Sequence, residues 1–189
     1  KQVLEAFSRL KKEKVDIGVV TTLMNFNTAD LHPMHAMLVE HGVASWQIQI
    51  AKGMGSMRRN QALAFDVKKM GDITGFFKEK SFSSELVMLA GDDIGYFDEN
   101  ERHLRNLPGH PGEWHGCQAG MSVIGIDSAG NIRGCESLCD ERFIEGNVRD
   151  ETLEKIWRRD GGFAYNRRFD TSYLSGICAS CDKAEQCRG

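Results

Sequence analysis

All six cysteines of this 189-residue chain lie after residue 116. They are Cys117, Cys135, Cys139, Cys178, Cys181 and Cys187. The composition therefore splits into a cysteine-free part and a cysteine-rich part, and thiol chemistry belongs to the second. Cys178-Ala-Ser-Cys181 is a Cys-x2-Cys turn, and Cys187 follows after five residues. Thiolates are soft ligands suited to zinc, copper(I) or iron–sulfur clusters. Three uses compete. Disulfides need an oxidising compartment, and Lys1-Gln2-Val3-Leu4 leads straight into a charged helix rather than a secretory signal. Structural zinc needs four ligands, and the last three cysteines supply three. Iron–sulfur clusters also take cysteines at such spacings. Spacing alone leaves these open.

Charge and hydropathy narrow the partners. Twenty-four basic against twenty-seven acidic residues give a net charge of −3 and a pI near 6.1. That excludes a strongly basic nucleic-acid binder as the default. No apolar run approaches the ~18 residues of a membrane span. The expectation is a cytoplasmic protein with neither nucleic acid nor membrane as a partner.

The cysteine-free part alternates helix and strand. Val3, Ala6, Phe7 and Leu10 form one helical stripe. Val15 to Thr22 is a short run rich in β-branched residues, which reads as a buried strand. Leu31, Met34, Met37 and Leu38 repeat at helical spacing, and Gly42 is placed to end that helix. Val43 to Ile50 reads as a second strand. Met70, Ile73 and Phe77 mark a helix over 65–80, and Glu85 to Ala90 a third strand. This order predicts a parallel α/β sheet. A closed parallel barrel needs about eight strands, and three leave both edges open. The expectation is part of a larger α/β domain, with a small open three-layer sandwich as the alternative.

In parallel α/β folds, function sits at the C-terminal ends of strands. Here those ends carry Thr21 and Thr22, Gln47 and Gln49, then Gly91-Asp92-Asp93. Thr22 and Gln49 place hydrogen-bonding groups where an apolar strand would otherwise continue. Loop-entry polarity is the plainer explanation. The loop from Lys52 to Arg58 could cradle an anion, but it matches no phosphate-loop pattern.

Residues 98–116 are rich in charge, His, Gly and Pro, and read as a linker between residues 1–97 and 117–189. Met121 to Asp127 and Asn131 to Gly134 then read as a β-hairpin around Gly130. The hairpin would bring Cys117 and Cys135 to one end of two paired strands. A short helix over 151–160 would bury Leu153, Ile156 and Trp157.

These residues together resemble the SPASM domain of radical S-adenosylmethionine (SAM) enzymes of the peptide or protein maturase type. The family pattern has a Cys, about a dozen residues, a Gly, four residues and a Cys, met by Cys117, Gly130 and Cys135. Cys-x2-Cys-x5-Cys follows, met by Cys178, Cys181 and Cys187. The Gly-Asn, Leu and Ile-Trp usually found between are Gly146-Asn147, Leu153 and Ile156-Trp157. The likeness reaches more loosely into 15–97, as the last strands of a radical SAM partial (β/α) barrel.

The resemblance implies two auxiliary [4Fe–4S] clusters, one on Cys117 and Cys135, the other on Cys178, Cys181 and Cys187. Each ligand set is incomplete as written. His110 or His115 is a conceivable further ligand of the first. Cys139 is outside the pattern, either a ligand of the first cluster or a buried structural thiol. Thr22 and Gln49 would lie near SAM or substrate. Glu136 is a candidate base beside the first cluster, or simply a solvated carboxylate. Arg58 and Asp92 have no assigned role.

The whole enzyme would hold SAM and a third [4Fe–4S] cluster, and abstract hydrogen from a peptide or protein through the 5′-deoxyadenosyl radical. Its electron donor would be a flavodoxin or ferredoxin. The catalytic cluster of such enzymes sits on Cys-x3-Cys-x2-Cys, which is absent from this sequence. The chain is therefore expected to be a fragment that does not cleave SAM by itself. The rival reading is a non-enzymatic zinc-binding interaction module.

Overall fold

The computed structural model describes residues 2–53, 55–80, 85–91, 94, 98–107, 110–112, 114 and 116–188. The chain forms two compact units, Lys1–Trp114 and His115–Gly189. Each is described on its own.

The first unit is built on a parallel sheet. Helix α1 (Gln2–Lys12) leads to strand β1 (Gly18–Leu23), α2 (Leu31–Glu40), β2 (Ser45–Ile50), α3 (Met70–Lys80) and β3 (Val87–Ala90). The strand order is β1-β2-β3, all parallel, with Thr22 opposite Gln49 and Trp46 opposite Met88. Side chains alternate between the faces of a strand. One face carries Thr21, Leu23, Trp46, Ile48 and Met88, all buried. Phe7 of α1, Leu38 of α2, and Ile73, Phe76 and Phe77 of α3 join them in one core. The other face carries Val20, 62% exposed, with half-buried Thr22, Gln47 and Gln49. The buried helix residues thus pack on one side of the sheet, as in a two-layer arrangement. Of the stripe expected on α1, Phe7 is buried, whereas Val3 and Leu10 are 62% and 40% exposed.

Two local features fix this unit. Gly42 ends α2 at φ +59°. There Gly42 N donates to Val39 O at 2.8 Å and Val43 N to Leu38 O at 3.0 Å, a Schellman closure that a Cβ would strain. Trp46 is fully buried, and its Nε1 donates to Thr21 Oγ1 at 2.9 Å. Without that acceptor the buried indole N–H would cost about 1–3 kcal/mol.

The stretch read as a linker carries a short helix, α4 (Glu101–Leu104), whose Leu104 is buried in the same core. Arg105 donates to the carbonyls of Ala90, Gly91 and Ile94, which ties this stretch to the end of β3. Strands β4 (Asn106–Leu107) and β5 (His110–Pro111) then pair antiparallel.

The second unit is an antiparallel ribbon with short helical turns. Strands β6 (Gly125–Ile126), β7 (Asn131–Arg133) and β8 (Gly146–Asn147) lie side by side in that order. Asp127 organises the turn between the first two. Its carboxylate accepts from Ala129 N, Asn131 N and Asn131 Nδ2 at 2.9, 3.0 and 3.0 Å, and from Arg133 Nη1 at 2.7 Å. Gly130 takes φ +89° in that turn, where only glycine is unstrained.

Helix α5 (Leu153–Trp157) starts at Thr152, whose Oγ1 accepts from Lys155 N at 3.3 Å. Ile156 is fully buried and Trp157 half-buried, but Leu153 is 39% exposed. A second helical turn, α6 (Ala164–Arg167), follows Phe163, which itself sits at φ +55°. The last, α7 (Ala184–Cys187), carries the final cysteine. Among the described residues, Ile132, Ile156 and Phe163 form its buried apolar centre. A unit this size with so small a centre usually needs a staple, either disulfides or a metal. No helix among the described residues is long and apolar enough to cross a membrane.

Candidate metal centre

All six cysteines are free thiols, so the staple is not a disulfide. Cys117, Cys139 and Cys181 are exposed, and Cys135, Cys178 and Cys187 half-buried. Cys139 is therefore not the buried structural thiol that was one of its two expected roles. Its Sγ lies 3.6 Å from the carbonyl oxygens of both Glu136 and Ser137, so its S–H donates into its own loop. In the loop after β7, Glu136, Ser137, Cys139 and Asp140 are all exposed.

Cys117 and Cys135 share a local design. Ala119 N donates to Cys117 Sγ at 3.5 Å, and Ser137 N to Cys135 Sγ at 3.4 Å. In both, the amide two residues ahead points at the sulfur. Amide hydrogen bonds to cysteine sulfur are among the levers that set cluster potentials.

Helix α6 fastens both cysteine segments. Asn166 is buried, and its Nδ2 donates to Cys117 O at 2.5 Å and Ala119 O at 2.8 Å. Arg167 donates through Nε to Gly120 O at 2.7 Å and through Nη1 to Trp157 O at 2.7 Å. Its guanidinium also stacks over the Trp157 and Phe163 rings, 4.3 and 4.5 Å from their centroids. Tyr165 Oη accepts from Gly134 N at 2.9 Å, directly before Cys135. A Cβ at Gly134 would collide with Tyr165 Oη and stand 2.8 Å from Gly120 N. Glycine at 134 is thus what lets the two cysteine segments close around the phenol. Burial pushes the Tyr165 phenol up; the Gly134 amide opposes this, while the charges of Glu145, Cys117 and Cys135 add to it.

The last three cysteines occupy consecutive turns. Cys178 lies in a 3-10 turn over Gly176–Ser180, Cys181 N donates to Cys178 O at 3.3 Å, and Cys187 closes α7. This segment returns to the first cysteine. A Cβ on Gly116 would stand 3.0 Å from Gln186 O and 3.3 Å from Cys187 O. Arg188 Nη1 also donates to Asn166 Oδ1 at 3.5 Å.

Among the described residues, no three His, Cys, Asp or Glu side chains are gathered to hold a metal ion. The donor chemistry nevertheless fits a thiolate-bound cluster: free, accessible thiols, two with an amide aimed at the sulfur, in a unit with little core of its own. Binding itself draws such ligands together. Cys117, Cys135, Cys178, Cys181 and Cys187 are the residues that could hold such a group.

The remaining expected site residues are scattered. Thr22 and Gln49 meet on the polar face of the first unit's sheet, where Gln49 Nε2 donates to Thr22 Oγ1 at 3.0 Å. Glu136 is exposed, lying across the position of Gly125 in β6. Arg58 is exposed on a 3-10 turn over Gly55–Arg59. Asp92, Asp93, Met54 and His115 lie outside the described residues, as does the side chain of His110. Sequence reasoning missed Tyr165, Asn166 and Arg167. A four-residue helix is too short to show a period, so only their side-chain types offered a signal.

Comparison with known proteins places a family match on the cysteine-rich unit. Residues 117–182 match the SPASM family, an iron–sulfur cluster-binding domain. Mycofactocin maturase MftC of Mycolicibacterium smegmatis is 33% identical over 91 residues, 46% of this chain and 22% of that protein. The AdoMet-dependent heme synthase of Oleidesulfovibrio alaskensis is 22% identical over the whole chain, which spans 49% of its length. Among solved structures, Streptococcus suis SuiB superposes with a TM-score of 0.64 over 98% of this chain and 44% of its own, at 13% identity, which speaks for the fold alone.

The second unit therefore carries the match to the SPASM iron–sulfur cluster-binding domain, and it follows a mixed α/β unit in the chain. The chain spans less than half the length of these relatives.

Proposed function

We propose that this chain is the auxiliary-cluster portion of a radical SAM/SPASM enzyme that modifies a peptide or protein. The observation that carries this is the matched pair of cysteine loops, each with an amide aimed at its sulfur, inside the SPASM match. Two [4Fe–4S] clusters, when bound, would supply electron transfer to and from the substrate site. The chain's own residues position and tune them: Asn166 and Arg167 hold the Cys117 loop, and Tyr165 separates it from the Cys135 loop. Cys139 is left outside both sites, because its thiol is directed into its own turn.

The polar sheet face fits one flank of a reaction chamber. In a partial (β/α) barrel, the face away from the helices is the inside. Here that face carries Thr22 and Gln49 at the strand ends, so we assign them to the SAM or substrate side. Cleavage of SAM needs a further cluster, and without a Cys-x3-Cys-x2-Cys motif this chain does not perform it alone. A flavodoxin or ferredoxin would supply the electrons.

Anaerobic reconstitution with iron and sulfide tests the proposal. The expected result is iron and sulfide bound in equal amounts and a broad visible absorption. SAM with a reductant should then give no 5′-deoxyadenosine. Retention of zinc with no iron would establish the rival zinc-binding module instead.

A further inference from the structure

Tyr165 carries a hydroxyl whose use the fold leaves half open. A phenol can both accept and donate a hydrogen bond. Tyr165 Oη accepts from Gly134 N at 2.9 Å, and this is the one hydrogen bond it makes among the described residues. Its own proton remains to be placed. The ring is fixed by an edge contact with Phe143, centroids 5.3 Å apart at 84°. The oxygen lies 2.1 Å from where a Cβ of residue 134 would be, and that same point is 2.8 Å from Gly120 N and 2.9 Å from the Ala119 carbonyl carbon. The hydroxyl thus sits where the residue before Cys135 comes close to the residues after Cys117.

We propose that Tyr165 is a tuning residue of the first cluster, its hydroxyl donating to a sulfur of the group held by Cys117 and Cys135. The inference rests on the cluster reading above. The Gly134 amide orients the oxygen and leaves the proton to point at the sulfurs. Reduction adds negative charge to the cluster, and a hydrogen bond to sulfur strengthens with that charge. The bond thus favours the reduced form and raises the reduction potential. Glycine at 134 is required because any side chain there would displace the donor.

The test is a redox titration of the reconstituted chain, with the first cluster's signal identified by its loss in Cys135→Ala. Tyr165→Phe keeps the ring and removes the donor. Its expected effect is full iron content with an equilibrium constant for one-electron reduction lowered by up to about tenfold, about 59 mV. Fluorotyrosine placed at 165 is a stronger donor of the same shape. Measured below neutral pH, where the ring stays protonated, it should shift the potential upward. If Tyr165→Phe does not load iron, the fluorotyrosine chain decides. Potentials unmoved by substitution in an iron-loaded chain overturn the inference alone. An unmodified chain that binds no iron overturns the cluster reading, and the inference with it.

Discussion

Asn166 holds the Cys117 segment from below, its single side-chain amide donating to both Cys117 O and Ala119 O. The same residue accepts from Arg188, next to Cys187. One buried side chain therefore ties the first cysteine of the domain to the last. Asn166→Ala leaves two carbonyls without their donor. It should lower the stability of the cluster-free chain by about 2–3 kcal/mol, read as a shift in urea midpoint. After reconstitution it should lose iron from the first site before the second.

Gly134→Ala tests the close approach of the two cysteine segments. The added methyl meets Tyr165 Oη and the backbone of residues 119 and 120. Neither backbone can move without carrying Cys117 along. The expected outcome is loss of the first cluster's signal with the second retained, measured by electron paramagnetic resonance of the reduced chain.

The sheet of the first unit has its own probe. Thr21→Val keeps the shape but removes the acceptor of Trp46 Nε1. The expected cost is about 1–3 kcal/mol, followed by tryptophan fluorescence during denaturation. Iron content of the second unit should not change, since Thr21 belongs to the other unit.

How much of this was legible beforehand depends on element length. The parallel strands showed as β-branched runs long enough to read. Their starts moved, because Lys14 turns the chain at φ +57° and β1 begins only at Gly18. The hairpin was legible from Gly130, but its paired core is only Gly125–Ile126 with Asn131–Arg133. The strand beside it, Gly146–Asn147, is two residues long, too short to show an alternating pattern. The cysteines were legible by spacing. The side chains that hold them were not, since Tyr165, Asn166 and Arg167 act through contacts 31 to 49 residues away. Cys139 was expected either as a ligand or buried, because cysteine is a small hydrophobe. Its exposure rules out the buried role alone, and composition carries no record of that.

Acid should act on the hairpin turn. Arg133 first, then the side chain and amide of Asn131, hold the Asp127 carboxyl well below the usual carboxylate range. The folded state thus binds this proton less readily than the unfolded state. The stabilisation is full above the unfolded value of about 3.9 and is lost as pH falls through the lower folded value. Thermal melts of the cluster-free chain between about pH 2 and pH 6 should show this decline. Asp127→Asn should flatten it; an unchanged slope would remove Asp127 as its source.

The central claim is that the cysteine-rich unit binds iron–sulfur clusters. Mössbauer spectroscopy of the chain reconstituted anaerobically with isotopically enriched iron tests it most directly. The account predicts the quadrupole doublets of [4Fe–4S] clusters, reduced in intensity by Cys135→Ala and again by Cys178→Ala. A chain that holds only zinc, or iron whose spectrum ignores both substitutions, would contradict it.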